Sequence, residues 1–419
     1  MLTRTIGLVL SLAAATPAVA AQDWLQWGGP ARNFTSPATG LRSSWPPDGP
    51  RELWSRPLGE GYSGIVVEGN RAYTMYRERG GNLSFGAGDR DVVIALDATN
   101  GSTIWEHRYE APRPGRMDLT YGPGPHSTPL IVGDRLFTVG AMGHLNALDK
   151  ETGEVLWSRD LYHEFGAVWE RGYSASPVAW RNLVILPTGT RGQSVVALDQ
   201  ASGEVVWRRH DFRYGPSSPI VIDVDGQEQL VLFMADGPVG LAPSNGDLLW
   251  QHGHRTDHGL NISTPVWSED DNILFISSAY NGGSRALEIT RDGEETRVVE
   301  LWVSNRMRIH FGTAVRVGGF VYGSSGDFGP AFLVAMNIRT GERVWQERTF
   351  ARASLLYADG KLIVLDEDGT LGLATVSEDG LTVLAEATVL RNNSWTPPTL
   401  AGTRLFLRDR RTIKALALD

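Results

Sequence analysis

Seven chemically capable side chains stand at one recurring place in this sequence, three or four residues ahead of a short apolar run: Tyr62, His126, Tyr173, Asn261, His310, Arg352 and Trp395. Glu170, Arg171 and Arg308 lie in the same segments and complete a candidate ligand-binding set of ten. Aromatic faces stack on a sugar ring, and guanidinium groups fork onto a planar carboxylate. A His and Tyr pair also suits acid–base chemistry on an alcohol or sugar, although no catalytic spacing accompanies it. The bland alternative is a set of polar residues lining a wet channel. Metal ligation is not expected, because His126 and His310 fall in different repeats and no His pair at i, i+4 with a glutamate exists. The run Gly59-Glu60-Gly61-Tyr62-Ser63-Gly64 has the spacing of a phosphate cradle, yet a strand follows it rather than a helix.

The elements that must position these residues are announced by a repeated phrase. ALDATNGSTIW ends at Trp105, ALDKETGEVLW at Trp157, ALDQASGEVVW at Trp207 and AMNIRTGERVW at Trp345. Weaker copies close at Trp54, Trp250, Trp302 and, without the tryptophan, at Leu384, so that closing positions fall 39 to 52 residues apart. Each phrase reads as a strand, a turn with Gly at positive φ, and an outer strand whose tryptophan wedges between neighbours. A second element, such as HSTPLIVGDRLF or SASPVAWRNLVI, precedes each phrase and reads as the innermost strand, a tight turn and the second strand. Both counts reach eight. The fold expected is all-β, an eight-bladed β-propeller with four-stranded blades, spanning residues 51–419. The chain stops after a third strand, Ala415 to Asp419, and the missing outer strand lies at Leu53-Trp54, so the ring should close by pairing the N-terminal and C-terminal segments. The loops entering the inner strands then converge on one mouth of the channel, where Arg77 to Asp91 reads as a lid.

Residues 1–20 read as a secretory signal, with Arg4, an apolar stretch from Ile6 to Ala15 and the small residues Ala18-Val19-Ala20. An exported protein, periplasmic or extracellular, is expected, monomeric and without a transmembrane anchor. Residues 21–50, with Trp24 and Trp27, read as an extension that packs on the propeller. There is no cysteine, which excludes disulfides, thiolate metal sites and lipid attachment through a cysteine. The net charge of −9, with both signs interspersed and no basic run, argues against nucleic acid as a partner.

The phrase with Ala, Asp, Thr-Gly and a closing tryptophan resembles the repeat of the pyrroloquinoline-quinone (PQQ) β-propellers, a family that includes quinoprotein alcohol dehydrogenases and BamB-like scaffolds. DWLQWGGPARNFTS and NNSWTPPTLAGTRLFLRD look most like its exported bacterial repeat proteins. The resemblance implies the propeller fold. For function it implies either a binding propeller, holding a small molecule, glycan or protein partner at its mouth without redox catalysis, or a PQQ-dependent dehydrogenase with calcium. Against the second stand the lack of the vicinal disulfide on which the quinone stacks and the lack of positions matching that family's calcium-binding Glu, Asn and Asp. Arg171, Arg308 and Arg352 near one mouth are what a tricarboxylate cofactor would use.

Overall fold

The hairpin predicted from the phrase forms as read. Asp149 turns its carboxylate onto the backbone N–H groups of Glu151 and Thr152, at 2.9 and 2.8 Å, and Gly153 follows at φ 77°. Asp199 does the same for Ala201 and Ser202, and Asn337 for Arg339 and Thr340. These turns join third to fourth strands. In the computed structural model, which describes residues 23–79, 87–113, 117–167, 169–327, 329–391 and 393–419, eight blades of four antiparallel strands stand around a channel, one of them extended by a fifth, parallel strand, Thr35–Ser36. Blade 1 illustrates the order from the inside out: Val66–Glu68, Arg71–Arg79, Ala87–Asp97 and Thr103–Glu110. Blades 2 to 7 follow in sequence, beginning at Leu130, Val178, Ile220, Val266, Ile309 and Ala353.

Blade 8 is built from both ends of the chain. Its inner strands come from Thr399–Ala401, Arg404–Arg408 and Thr412–Ala417, and its outer strand is Arg51–Pro57. The expected closure is therefore present, with Trp54 opposite Ala415. Arg408 locks the seam to blade 1. Fully buried, it donates to the carbonyls of Ser63, Met75 and Gly61 at 3.1, 2.8 and 2.8 Å and to Thr74 Oγ1 at 3.1 Å. A buried guanidinium is tolerable only when so many acceptors surround it.

Two belts bind blade to blade. On the outside, a β-bulge just before each tryptophan turns the indole into the seam. Trp54, Trp105, Trp157, Trp207, Trp302 and Trp345 donate Nε1–H to turn carbonyls of the following blade, at 2.8 to 3.0 Å. Trp250 meets a hairpin in blade 5 whose strands run on to a two-residue turn, and it donates instead to Gln229 Oε1, whose amide reaches Thr296 of that blade. On the inside, the Ser and Thr residues of the second motif stitch neighbouring inner strands. Ser176 Oγ accepts from Thr128 N and Ser218 Oγ from Ser176 N, while Thr396 Oγ1 donates to the Tyr62 carbonyl across the closure.

Three expectations need correction or limit. Leu384 is not at the closing position of blade 7; it is the bulged residue, and Ala385 takes that register opposite Leu373. Arg77 and Asp91, read as the ends of a lid, are strand residues facing one another as a buried ion pair at 3.0 Å, because the second and third strands of blade 1 run far beyond their counterparts. Residues 80–86 of that loop and residues 1–20, read as a leader, lie outside the described residues.

The N-terminal segment crosses the channel at the end opposite the entering loops. Trp24 exchanges backbone hydrogen bonds with Val67 of blade 1, Leu25 accepts from Ile131 of blade 2, and Arg32 donates to Ala179 of blade 3. Thr35 and Ser36 then pair in parallel with Tyr357 and Ala358 of blade 7. Contacts with blades on opposite sides of the ring require the segment to run over the axis. The channel is thereby closed at that end.

Candidate functional site

Above this floor the entering loops enclose a cavity of about 570 Å³. Its floor is Trp27, which rises from the crossing segment, donates Nε1–H to Thr264 Oγ1 at 2.7 Å and is braced edge-on by Phe34. One wall is a run of rings. His126 lies parallel to Tyr62, Tyr62 meets Trp395 at 5.0 Å between centroids, and Trp395 meets Phe311 at 4.8 Å. His310, Tyr280 and His258 continue it, each within 5.1 Å of the ring before. Trp169 and Tyr214 face it from blades 3 and 4, and Tyr121 reaches in from the connection between blades 1 and 2. That connection is pinned by Asp118 N donating to the Glu170 carbonyl at 2.7 Å.

Of the ten residues chosen from sequence, Tyr62, His126, Glu170, Arg171, His310 and Trp395 line this cavity. The other four stand outside the lining. Tyr173 is fully buried beside Trp169 and Tyr214. Asn261 is consumed by the fold, donating to the Met234 carbonyl at 2.7 Å and accepting from Ser278 Oγ at 2.6 Å. Arg308 pairs with Asp327 at 3.7 Å. Arg352 sits over the Phe311 ring and donates to His310 Nδ1 at 3.4 Å, with Glu367 at 3.7 Å. Sequence reasoning missed Trp27, Tyr121, Trp169, Tyr280 and Phe311. Tyr280 carried a usable signal, since it directly precedes the turn sequence Asn281-Gly282-Gly283, and in the structure Tyr280 and Asn281 adopt positive φ, 53° and 63°.

The charges at the mouth are already matched. Arg171 holds Asp118 at 3.0 Å, Arg213 takes both oxygens of Asp236 at 3.0 and 2.6 Å, and Arg410 and Arg411 share Glu60. Burial, reinforced by Arg410, pushes His126 down to about 4. His310 is also held at about 4 by burial and Arg352, against a partial pull from Asp327. Both imidazoles are neutral at neutral pH. Burial raises Tyr62 to about 12 and lifts Tyr280 as well, so the phenols keep their protons.

These residues do not fit PQQ with calcium. A tricarboxylate calls for uncommitted cations, and calcium for several oxygen ligands. The mouth arginines are paired with carboxylates, and among the described residues no group of three or more His, Asp or Glu side chains is placed to hold a metal ion.

Comparison with known proteins agrees with the architecture. The solved structure of BamB from Moraxella catarrhalis superposes with a TM-score of 0.60 at 18% identity, covering 88% of this chain and 100% of that one. Quinohemoprotein alcohol dehydrogenase from Comamonas testosteroni superposes with a TM-score of 0.66 at 14% identity, covering 96% and 81%. At such identities the likeness establishes the fold alone. In sequence, the outer membrane protein assembly factor BamB of Alkalilimnicola ehrlichii is 27% identical over 234 residues, 55% of this chain and about half, 52%, of the length of that relative. A family model described as outer membrane protein assembly factor BamB matches residues 88–327, more than half of the chain. With eight blades, their docked tryptophans and that match together, the chain belongs to the PQQ-like repeat β-propeller family of the outer membrane protein assembly factor BamB.

Proposed function

We propose that this chain is an exported binding propeller of the cell envelope, which holds a ligand or a protein partner at its channel mouth and carries out no redox chemistry of its own. One observation carries the reading: the cavity is a recess closed by Trp27 and walled by rings, with its ionic groups already paired. A dead-end recess of about 570 Å³ lies within the range of ligand sites. The BamB relatives are named outer membrane protein assembly factors, and a binding role accords with such a name. The leader at residues 1–20 supports export, and no helix among the described residues is long and apolar enough to cross a membrane. The test is titration of the purified protein with PQQ and calcium, recording quinone absorbance and dye-linked alcohol oxidation. Neither saturation nor turnover is expected. Stoichiometric uptake of the quinone with turnover overturns the reading.

A further inference from the structure

We propose that the mouth cavity is a site for a neutral saccharide, with one pyranose ring resting on the Trp395 and Phe311 faces and its hydroxyl groups meeting Tyr121 and His126. The proposal rests on the mouth being the recognition site. It follows from three properties of the lining taken together.

The first is the ring surface. Trp395 is fixed by its Nε1–H to Glu367 Oε2 at 3.1 Å, and Phe311 is tilted 48° to it, so the pair makes an angled platform. The C–H face of a pyranose packs on such a surface without a charge being needed.

The second is the charge balance. An anionic ligand would find Arg171 and Arg213 occupied by Asp118 and Asp236. A cationic ligand would find Arg410 and Arg352 beside the two histidines, and the carboxylate of the lining, Glu170, exposed on the rim. Neither sign of charge is invited.

The third is unmet hydrogen bonding. The His126 ring lines the cavity and makes no hydrogen bond among the described residues. An apolar ligand would strip water from its nitrogens and leave them unsatisfied, at a cost comparable to losing hydrogen bonds. The Tyr121 hydroxyl adds to them. Arg352 can only donate, so His310 Nδ1 accepts, Nε2 carries the proton and gives it to Tyr280 Oη. Tyr280 Oη lies 3.2 Å from Tyr121 Oη and either can donate to the other, so the Tyr121 hydroxyl, with one donor and two lone pairs, keeps hydrogen-bonding capacity for the ligand. A surface of faces combined with neutral donors and acceptors matches the two-sided chemistry of a sugar.

Tryptophan fluorescence titrations with maltotriose, cellotriose and N-acetylated chitotriose test this, with benzoate and a tryptophan-containing blocked dipeptide as contrasting probes. At least one saccharide should bind saturably. Trp395→Ala should weaken it about tenfold or more and Trp395→Phe much less, while Tyr121→Phe should cost about two- to tenfold, the loss of one hydrogen bond. Circular dichroism keeps misfolding of a variant apart from loss of binding. Saturable binding of benzoate or the dipeptide, lost in Trp395→Ala and without any saccharide response, overturns the saccharide assignment but leaves the mouth as the recognition site. No saturable response to any of the probes counts against both.

Discussion

At the scale of single residues, the chemistry of this protein is governed by groups withdrawn from water and kept neutral. His126, His254 and His310 sit at about 4, 3 and 4 because burial disfavours the imidazolium, aided by Arg410, Arg285 and Arg352 respectively. In the unfolded chain a histidine takes up its proton near pH ~6.5. Between about pH 6.5 and 4 the unfolded state therefore binds more protons than the folded one. The stability these residues contribute is complete above about 6.5 and is lost as pH falls through that window. Asp91 opposes them, since burial outweighs Arg77 and raises it to about 6, so its contribution shrinks as pH rises from about 4 to 6. His107 and His144 are lowered by burial as well, and Asp366 is raised, so five histidines stand against two carboxylates. The melting temperature is expected to drop on acidification from about pH 7 to 4.5, and His254→Gln should flatten that slope; an identical slope in the variant would reject the assignment.

At the scale of the element, the hairpin and its tryptophan form one unit shared between two blades. Gly203 takes φ 71°, and a Cβ there would fall 2.6 Å from the Trp157 ring that lies against it, so two separate constraints select glycine. Gly101, Gly246 and Gly341 face Trp54, Trp207 and Trp302 in the same way. Trp157→Ala should cost about 3–5 kcal/mol, and Gly203→Ala should also destabilise, measured by urea unfolding. A midpoint unchanged in both would remove the wedge role. Blade 7 explains its own missing tryptophan. The turn that would receive one is replaced in blade 8 by the chain ends, and the incoming chain at Gly49 already lies against Ala387 and Val389. The outer strands also show where apolar residues need not be buried: Val155 and Leu156 are 46% and 45% exposed because no further strand covers that face. Their β-branched or bulky side chains favour the extended backbone there rather than a core.

At the scale of the whole molecule, a closed ring with a sealed floor emerges from the meeting of the two ends. Strand Thr412–Ala417 pairs with Arg51–Pro57 on one side and with Arg404–Arg408 on the other. Deleting residues 411–419 therefore removes a central strand and leaves the outer strand, with Trp54, unpaired. The truncated protein is expected to lose most of its stability and its single sharp transition, followed by calorimetry. A transition of unchanged temperature would show that the ring does not depend on this closure. The crossing segment from Trp24 to Ser36 then adds a link among blades 1, 2, 3, 5 and 7, and with Trp27 it converts a channel into a recess.

The blade count, the hairpins and the outer wedge were legible in the sequence because each depends on a dozen or so neighbouring residues and recurs, and the ring closure because the incomplete copies at the two ends complement each other. Asp, Thr and Gly at set offsets dictate a turn wherever they stand. The cavity follows another logic. Tyr62, Tyr121, Tyr280 and Trp395 lie far apart in the chain, and nothing local distinguishes Trp395, which faces the cavity, from Tyr173, which is buried beside it. Asn261 looked like a ligand residue and serves the backbone instead, and the arginines that suggested an anion site are neutralised by partners from other loops. Orientation and pairing of that kind are set when the ring closes, since only then do eight loops share one mouth. Repetition decided the scaffold, and tertiary convergence decided which of its unrepeated residues face the ligand.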